Sequence, residues 1–353
     1  MWLLTLRDLQ YRKVRVIVVV VLAAVVMALL FLMTGLVNQF RHEPYDATGA
    51  IGADYWVLPE GMSGPFTSGG AVPVALVAEL GPTARPVVLG RGTITPSDDP
   101  GESAEVVMVG GELADLQTTM AAPELVEGRP VGAAGEVVVD RSTGFSVGDR
   151  VQLGPAELEV VGLTSRTSVL AGVPLVFVEV GLAQDLAFQN RSVTTGVLVD
   201  GVAPAPPAGT VVRSSDEVAE DALGPMKDAI SSIDLVRALM WLVTAVIIGA
   251  VVFLSALERQ RDFAILRAMG TSRRALLGAV VVQAVLIAVL AAAVAMLLQR
   301  VLVPLFPLPV IVPVRAFLTI PVGAVIAALV AGAAGLRKVA TVDPAAAFSG
   351  PGT

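Results

Sequence analysis

Cysteine is absent from this 353-residue chain, and histidine occurs once, at His42. The first absence excludes disulfides and thiolate chemistry; the two together exclude a Cys/His metal site and a histidine-based nucleophilic triad. No Gly-Lys dipeptide occurs, so a Walker A phosphate loop cannot be built from these residues. Charged residues make up only 16% of the chain, and none lies near the middle of its four longest apolar runs. That argues against a proton or sodium relay through those runs, and Gln283 is their clearest polar side chain. No catalytic residue, no metal site and no resident cofactor is expected. His42 reads as an interfacial side chain and the pair Asp98 and Asp99 as a solvated turn.

Apolar sequence is what abounds. Hydrophobic residues reach 55% of the chain, the mean hydropathy is +0.77, and blocks at 14–37, 235–257, 275–298 and 317–336 approach or exceed the ~20 residues that cross a bilayer. The first block has the basic start of a signal peptide. Its core is too long, however, and no A-x-A-like cleavage site follows in LVNQFRHEP, so an uncleaved spanning helix is expected.

Charge orients the blocks. Arg7, Arg12, Lys13 and Arg15 precede the first, Arg259, Arg261, Arg267, Arg273 and Arg274 separate the second from the third, and Arg337 and Lys338 follow the fourth. Only Asp8, Glu258, Asp262 and Asp343 oppose them. The positive-inside rule then puts both termini and the 258–274 connection in the cytoplasm and the stretch 41–230 outside. That stretch holds 26 acidic against 10 basic residues, a balance of −16, which disfavours nucleic acid as a partner.

The expected architecture is an α-helical membrane protein with four transmembrane helices plus one α+β extracytoplasmic domain inserted between the first and second. Residues 1–13 form an interfacial amphipathic helix, with Trp2, Leu6 and Leu9 on one side. Spanning helix 14–37 leads into the outer domain at 41–225, where β-branched runs such as AEVVMV, EVVVD, ELEVVGL and PLVFVEV alternate with Gly- and Pro-rich turns. A stalk and second span occupy 226–257, entered through a helical stretch from Ser215 with Pro225 as a kink. Asp234 and Arg237 are spaced to pair on it. A cytoplasmic segment at 258–274, a span at 275–298, a short outer loop at 299–316, a span at 317–336 and a cytoplasmic tail at 337–353 complete the chain. The aromatic residues Tyr45, Tyr55, Trp56 and Phe66 read equally as core or interface.

Two features carry functional information. Gly323, Ala327, Ala331 and Gly335 form an i,i+4 row of small residues on the last span, flanked by Ala324, Ala328 and Gly332, and such rows let helices approach closely in lipid. The neighbour is a helix of the same chain or of a second copy. The other feature is ERQRDFAILRAMGTSRR at 258–274, charged, helix-prone and set between two apolar runs. Phe263 with Leu266, and Ile265 with Ala268 and Met269, give apolar contacts framed by arginines; Gly270 can end that helix and Ser272 can cap the next. Such a helix either seats in the groove of a partner or lies on anionic lipid.

At this point the sequence resembles the MacB/FtsX-type ABC transporter permeases. Their pattern of Arg/Glu, an apolar pair and L-[RK]-A-[LIM]-G-[AT]-[ST] is matched by Leu266, Arg267, Ala268, Met269, Gly270, Thr271 and Ser272, with Phe263-Ala264 standing where Ile-Gly is common. GADYWVLPEG after the first block, EGRPVGAAGEVVVDRSTGFSVGDRVQLGPAELEVVGLT in the outer region and TVDPAAAF in the tail are similar to further family motifs in the right order.

The resemblance implies a permease subunit of the cell membrane, not itself an enzyme. ATP and Mg²⁺ would be held by a separate cytoplasmic ABC ATPase. Glu258, Arg259, Arg261, Phe263, Ile265, Leu266, Arg267, Met269 and Gly270 would form the segment that couples to that ATPase. It further implies a homodimer of this chain with two ATPase copies, embedded in membrane lipid, in which ATP-driven motion reaches the outer domain and exports or extracts a hydrophobic or amphipathic substrate. The alternative within the family is a scaffold that moves no substrate and activates a cell-wall enzyme.

Overall fold

A computed structural model describes residues 13–97, 103–121, 124–189, 191–258, 265, 269, 272–306, 308 and 310–339. Residues 1–12 of the interfacial helix expected at 1–13, Asp98 and Asp99, and the TVDPAAAF tail lie outside the described residues. The chain divides into two compact units, 1–38 with 231–353, and 39–230.

Four long helices frame the first unit: α1 (Lys13–Ile51), and, after the elements of the second unit, α6 (Lys227–Glu258), α7 (Arg273–Leu302) and α8 (Ala316–Val339). The helices containing the first three apolar blocks are long and apolar enough to cross a membrane; the apolar part of α8 among the described residues, Ala316–Val330, is shorter. Their contacts are made by small side chains. Ala23, Ala24, Met27 and Ala28 of α1 are buried with Ala284, Ala288, Ala291 and Ala295 of α7 and with Ala316, Ile320, Ala324 and Ala328 of α8. In lipid no hydrophobic effect draws helices together, so close backbone approach through alanine supplies the contact. Phe31 and Phe317 stack with ring centroids 5.3 Å apart. Leu235, Leu239, Leu242 and Val246 of α6 point outward, as apolar side chains do when the solvent is hydrocarbon.

Helix α1 does not stop where its apolar block stops, at 37. It continues through QFRHEPYDATGAI to Ile51 for 39 residues in all, about 58 Å at 1.5 Å per residue, nearly twice the ~30 Å hydrocarbon core. Pro44 lies inside it and removes one amide donor. Tertiary burial outweighs that loss, because Phe40, Ala47, Ala50 and Ile51 are buried, and Thr48 Oγ1 donates to the Pro44 and Tyr45 carbonyls at 3.1 and 3.2 Å.

The second unit is a mixed sheet with helices packed on it. Its strands are β1 (Tyr55–Pro59), β2 (Val72–Pro73), β3 (Ala84–Pro96), β4 (Ala104–Gly111), β5 (Leu125–Gly128), β6 (Glu136–Asp140), β7 (Arg150–Leu153), β8 (Ala156–Thr164), β9 (Ser168–Val169), β10 (Val173–Glu179), β11 (Val193–Thr194), β12 (Gly196–Val199) and β13 (Thr210–Ser214). Helices α2 (Ala75–Leu80), α3 (Leu113–Thr118), α4 (Val180–Phe188) and α5 (Ser215–Ala222) complete it.

The main sheet runs β13-β1-β12-β3-β4-β10-β6-β8-β5, and β7 pairs with both β3 and β8. Those two pairings close β3, β4, β10, β6, β8 and β7 into a ring. Val88, Val106, Met108, Val137, Val139, Val160, Val176 and Val178 fill one face of these strands with Ala183 of α4. The alternate residues Val87, Leu89, Val107, Val109, Val138, Leu175 and Phe177 bury the other face beneath Trp56, Leu116, Met120 and the last turns of α1. Strands buried on both faces read as unbroken apolar runs, which is why EVVVD and PLVFVEV show no alternation.

Candidate coupling site and its supports

Helix α6 ends at Glu258, whose side chain is exposed, and α7 starts at Arg273. Between them the Met269 N–H donates to the Ile265 carbonyl at 3.0 Å, the i→i−4 bond of one helical turn. Ile265 is 58% exposed and Met269 69%, so two large apolar side chains four residues apart are open to a partner or to lipid. Arg259, Arg261, Phe263, Leu266, Arg267 and Gly270 lie outside the described residues.

Gly323, the first of the small residues singled out on α8, packs inside this chain. A Cβ added at Gly323 would sit 2.4 Å from Trp241 Cη2 of α6, so the glycine is where the two helices touch. Ala327 is half-buried, and the side chains of Ala331 and Gly335 lie outside the described set. The fully buried row is one residue over, at Ala316, Ile320, Ala324 and Ala328. Its signal was in the sequence, because that row also runs at strict i,i+4 spacing and begins about two turns earlier. Gln283 is buried on α7, and Arg237 Nη1 lies 2.6 Å from Asp234 Oδ1, forming the i,i+3 pair.

At the outer ends of α1 and α6 the structure reveals junctions that composition did not announce. Beyond the last turn of α1, Gly52 takes a left-handed conformation (φ 69°). Its carbonyl accepts from Arg85 Nη2 at 2.5 Å, and the same buried guanidinium bonds Asp200 at 2.8 Å and reaches Asp115 at 3.4 Å. A helix C-terminus leaves carbonyls unpaired, and a guanidinium satisfies them with charge of the favourable sign. On the stalk side, Ser214 and Glu217 form a capping box for α5. The Ser215 hydroxyl donates to the Ala53 carbonyl, accepts from Trp56 Nε1 at 3.0 Å, and its N–H donates to the Asp54 carbonyl at 3.0 Å. The segment leaving α1 and the segment entering the stalk are thus tied to each other, and β1 and β13 pair alongside over five residues. A 3-10 turn at Gly224–Met226 containing Pro225 separates α5 from α6. Trp56 is fully buried and its ring lies 6.3 Å from that of Phe66, which makes both of them core.

On the domain surface Arg129 and Glu136 staple the loop between β5 and β6. Their nitrogen and oxygen atoms meet at 2.6 and 2.8 Å, and the Gly132 N–H adds a bond at 2.8 Å. The hydrogen bond from Arg129 is the main cause that holds the Glu136 carboxyl down to about 2.

Comparisons with known proteins agree in one direction. The family model described as FtsX-like permease, C-terminal matches residues 235–344. An ABC transporter permease of Mycobacterium bovis is 36% identical over 354 residues, covering 98% of this chain and 99% of that one. One from Mycobacterium tuberculosis matches with the same figures. The periplasmic region of MacB from Actinobacillus actinomycetemcomitans aligns with 49% of this chain and 94% of its own at 11% identity and a TM-score of 0.35. Motifs, apolar helices and full-length similarity converge: the chain belongs to the FtsX-like family of ABC transporter permeases.

Proposed function

We propose that this permease works as the membrane lever of a two-part machine. A separate cytoplasmic ATPase grips the 258–274 segment, and ATP binding there shifts α6 and α7. The outer domain responds by expelling or extracting a hydrophobic or amphipathic molecule. In this reading α8 is the fourth span, both termini are cytoplasmic, and two copies of the chain assemble with two ATPases. The observation that carries the reading is full-length similarity to ABC transporter permeases in a chain with no Walker A loop of its own. Two structural facts support it. Ile265 and Met269, two large apolar side chains four residues apart, are exposed in the stretch between two long helices. Helices α1 and α6 both run through the unit boundaries at 38/39 and 230/231, and a continuous helix can pass on displacement. The spanning helices carry no central charge, which fits motion transmission better than a polar path through them.

The test is to replace Phe263, Leu266 and Arg267 together by alanine and to co-express the variant with its cognate ABC ATPase. Loss of co-purification and of permease-stimulated ATP hydrolysis is expected. Normal co-purification with normal stimulation would sink the coupling assignment. Stimulated cell-wall hydrolysis without any transport defect in a deletion strain would point to the scaffold alternative.

A further inference from the structure

The connection between α7 and α8 has an unusual composition for a segment in water. From Val301 to Val314 fourteen successive residues carry no polar side chain, four of them are prolines, and an arginine stands at each end, Arg300 and Arg315. No acidic residue occurs in 299–316, whereas 41–230 holds 26 acidic against 10 basic. Connections in water draw on Ser, Asn, Asp and Gly. The structure fixes the level at which this one sits. Helix α7 closes through a 3-10 turn at Val303–Leu305, and Val310, Ile311 and Val312 then lie on α1. Asn38 Nδ2 donates to the Ile311 carbonyl at 3.3 Å, and a Cβ added at Gly35 would come within 2.5 Å of Val310 Cγ1 and 3.0 Å of Val312 Cγ2. Gly35 and Asn38 mark the end of the apolar block 14–37, so the connection crosses α1 where the hydrocarbon layer would end. On either side of that crossing apolar side chains stand open: Leu305 is 75% exposed, Val314 86% and Val301 62%. Arg300 and Arg315 are exposed as well, and neither forms an ion pair among the described residues.

We propose that this connection is a phospholipid seat, in which Leu305 and Val314 dip into the acyl-chain boundary while Arg300 and Arg315 hold the phosphates of anionic phospholipid in the adjoining leaflet. A guanidinium presents a fork of donors that matches phosphate oxygens, and its long stem lies along apolar surface while the head stays at the headgroup level. With no carboxylate in the segment, two positive charges are left for an anionic headgroup to neutralise. Free phosphate would answer the arginines but leave Leu305 and Val314 in water; a phospholipid answers both. The inference rests on α7 and α8 crossing the membrane, as in the function proposed above, and on nothing in the ATPase coupling.

Because the chain has no cysteine, one introduced cysteine takes a fluorescent label at one chosen place. Leu305→Cys and Val314→Cys of the full-length permease, each labelled with bimane, are reconstituted in phosphatidylcholine bilayers doped with phosphatidylglycerol or phosphatidylcholine brominated on the acyl chains. Leu290→Cys, 47% exposed on α7, reports lipid within the span, and Val202→Cys, 85% exposed in the second unit, reports water. The labels at 305 and 314 are expected to be quenched as the one at 290 is, with brominated phosphatidylglycerol favoured over brominated phosphatidylcholine by up to about fivefold for each arginine. Arg300→Gln combined with Arg315→Gln removes that preference, and inorganic phosphate added in excess leaves it in place. Quenching at 305 and 314 no greater than at 202 would overturn the seat. So would a preference that survives the double arginine substitution, or one that inorganic phosphate abolishes. Absence of quenching at 290 as well would overturn the spanning reading together with the seat, which separates the two failures.

Discussion

Gly323 shows how much a single missing side chain does in the membrane unit. The Trp241 ring occupies the place of its Cβ, so a larger residue must move the indole or part the helices, at a cost of about 1–3 kcal/mol for an overpacked contact. Gly323→Leu is expected to lower the thermal midpoint of the detergent-solubilised protein, and Trp241→Ala in the same chain to restore part of the loss. An unchanged midpoint in the single variant would show that the two helices do not meet there. A second single-residue effect is electrostatic. Because the folded Glu136 carboxyl is depressed from 4.5 to about 2, its contribution to stability is present above 4.5 and drains away as pH falls toward 2. Glu136→Gln should then melt earlier than wild type at neutral pH, with the gap closing in acid; a gap that is constant with pH would mean that the Arg129 pair stabilises nothing. Arg129 is exposed and Glu136 only half-buried, so solvent screening keeps the expected effect small. Ser215 could not be singled out from the sequence, since its partner lies 162 residues away, and no local pattern marks a hydroxyl destined for a distant carbonyl.

At the scale of elements, legibility followed locality. The apolar helices were readable because every backbone group in lipid must be satisfied within its own segment, so composition alone nearly dictates helix. The central strands were readable as apolar runs. The outer extension of α1 was not, because Pro44 and the charges of FRHEPYD look like an ending; what keeps the helix going is burial of Ala47, Ala50 and Ile51 against the sheet, a tertiary effect that overrides propensity. The junction between that helix and the stalk makes its own prediction. Ser215→Ala removes an acceptor from the Trp56 indole and a donor from the Ala53 carbonyl, and a buried group left unpaired costs about 1–3 kcal/mol. Faster hydrogen exchange confined to residues 53–57 and 210–215 is expected, with the β4 and β6 amides unaffected. Exchange identical to wild type at 53–57 would show that the strand ladder alone holds the junction.

For the whole molecule, family membership accounts for the chemistry the chain lacks. An ABC transporter permease works with an ATPase partner, which fits a sequence that contains no Walker A loop of its own. The charge and motif of residues 258–274 could be read because they are contiguous in the sequence. The way the outer domain holds together could not, because closing the strand ring requires β7 to find β3 across more than fifty residues, and pairing over that range leaves no trace in local sequence.

That ring determines where the outer domain can yield. Sliding any one of its six strands would break ladders on both sides at once, so the ring resists shear as a hoop does. The strands β12, β1 and β13 hang from it as a flap, attached to β3 through four residue pairs, Gly196 to Val199 against Val87 to Ala84. The stalk joins the outermost strand of that flap at Ser214. The flap is therefore bonded to the ring along one strand edge, whereas every ring strand is bonded to two ring neighbours.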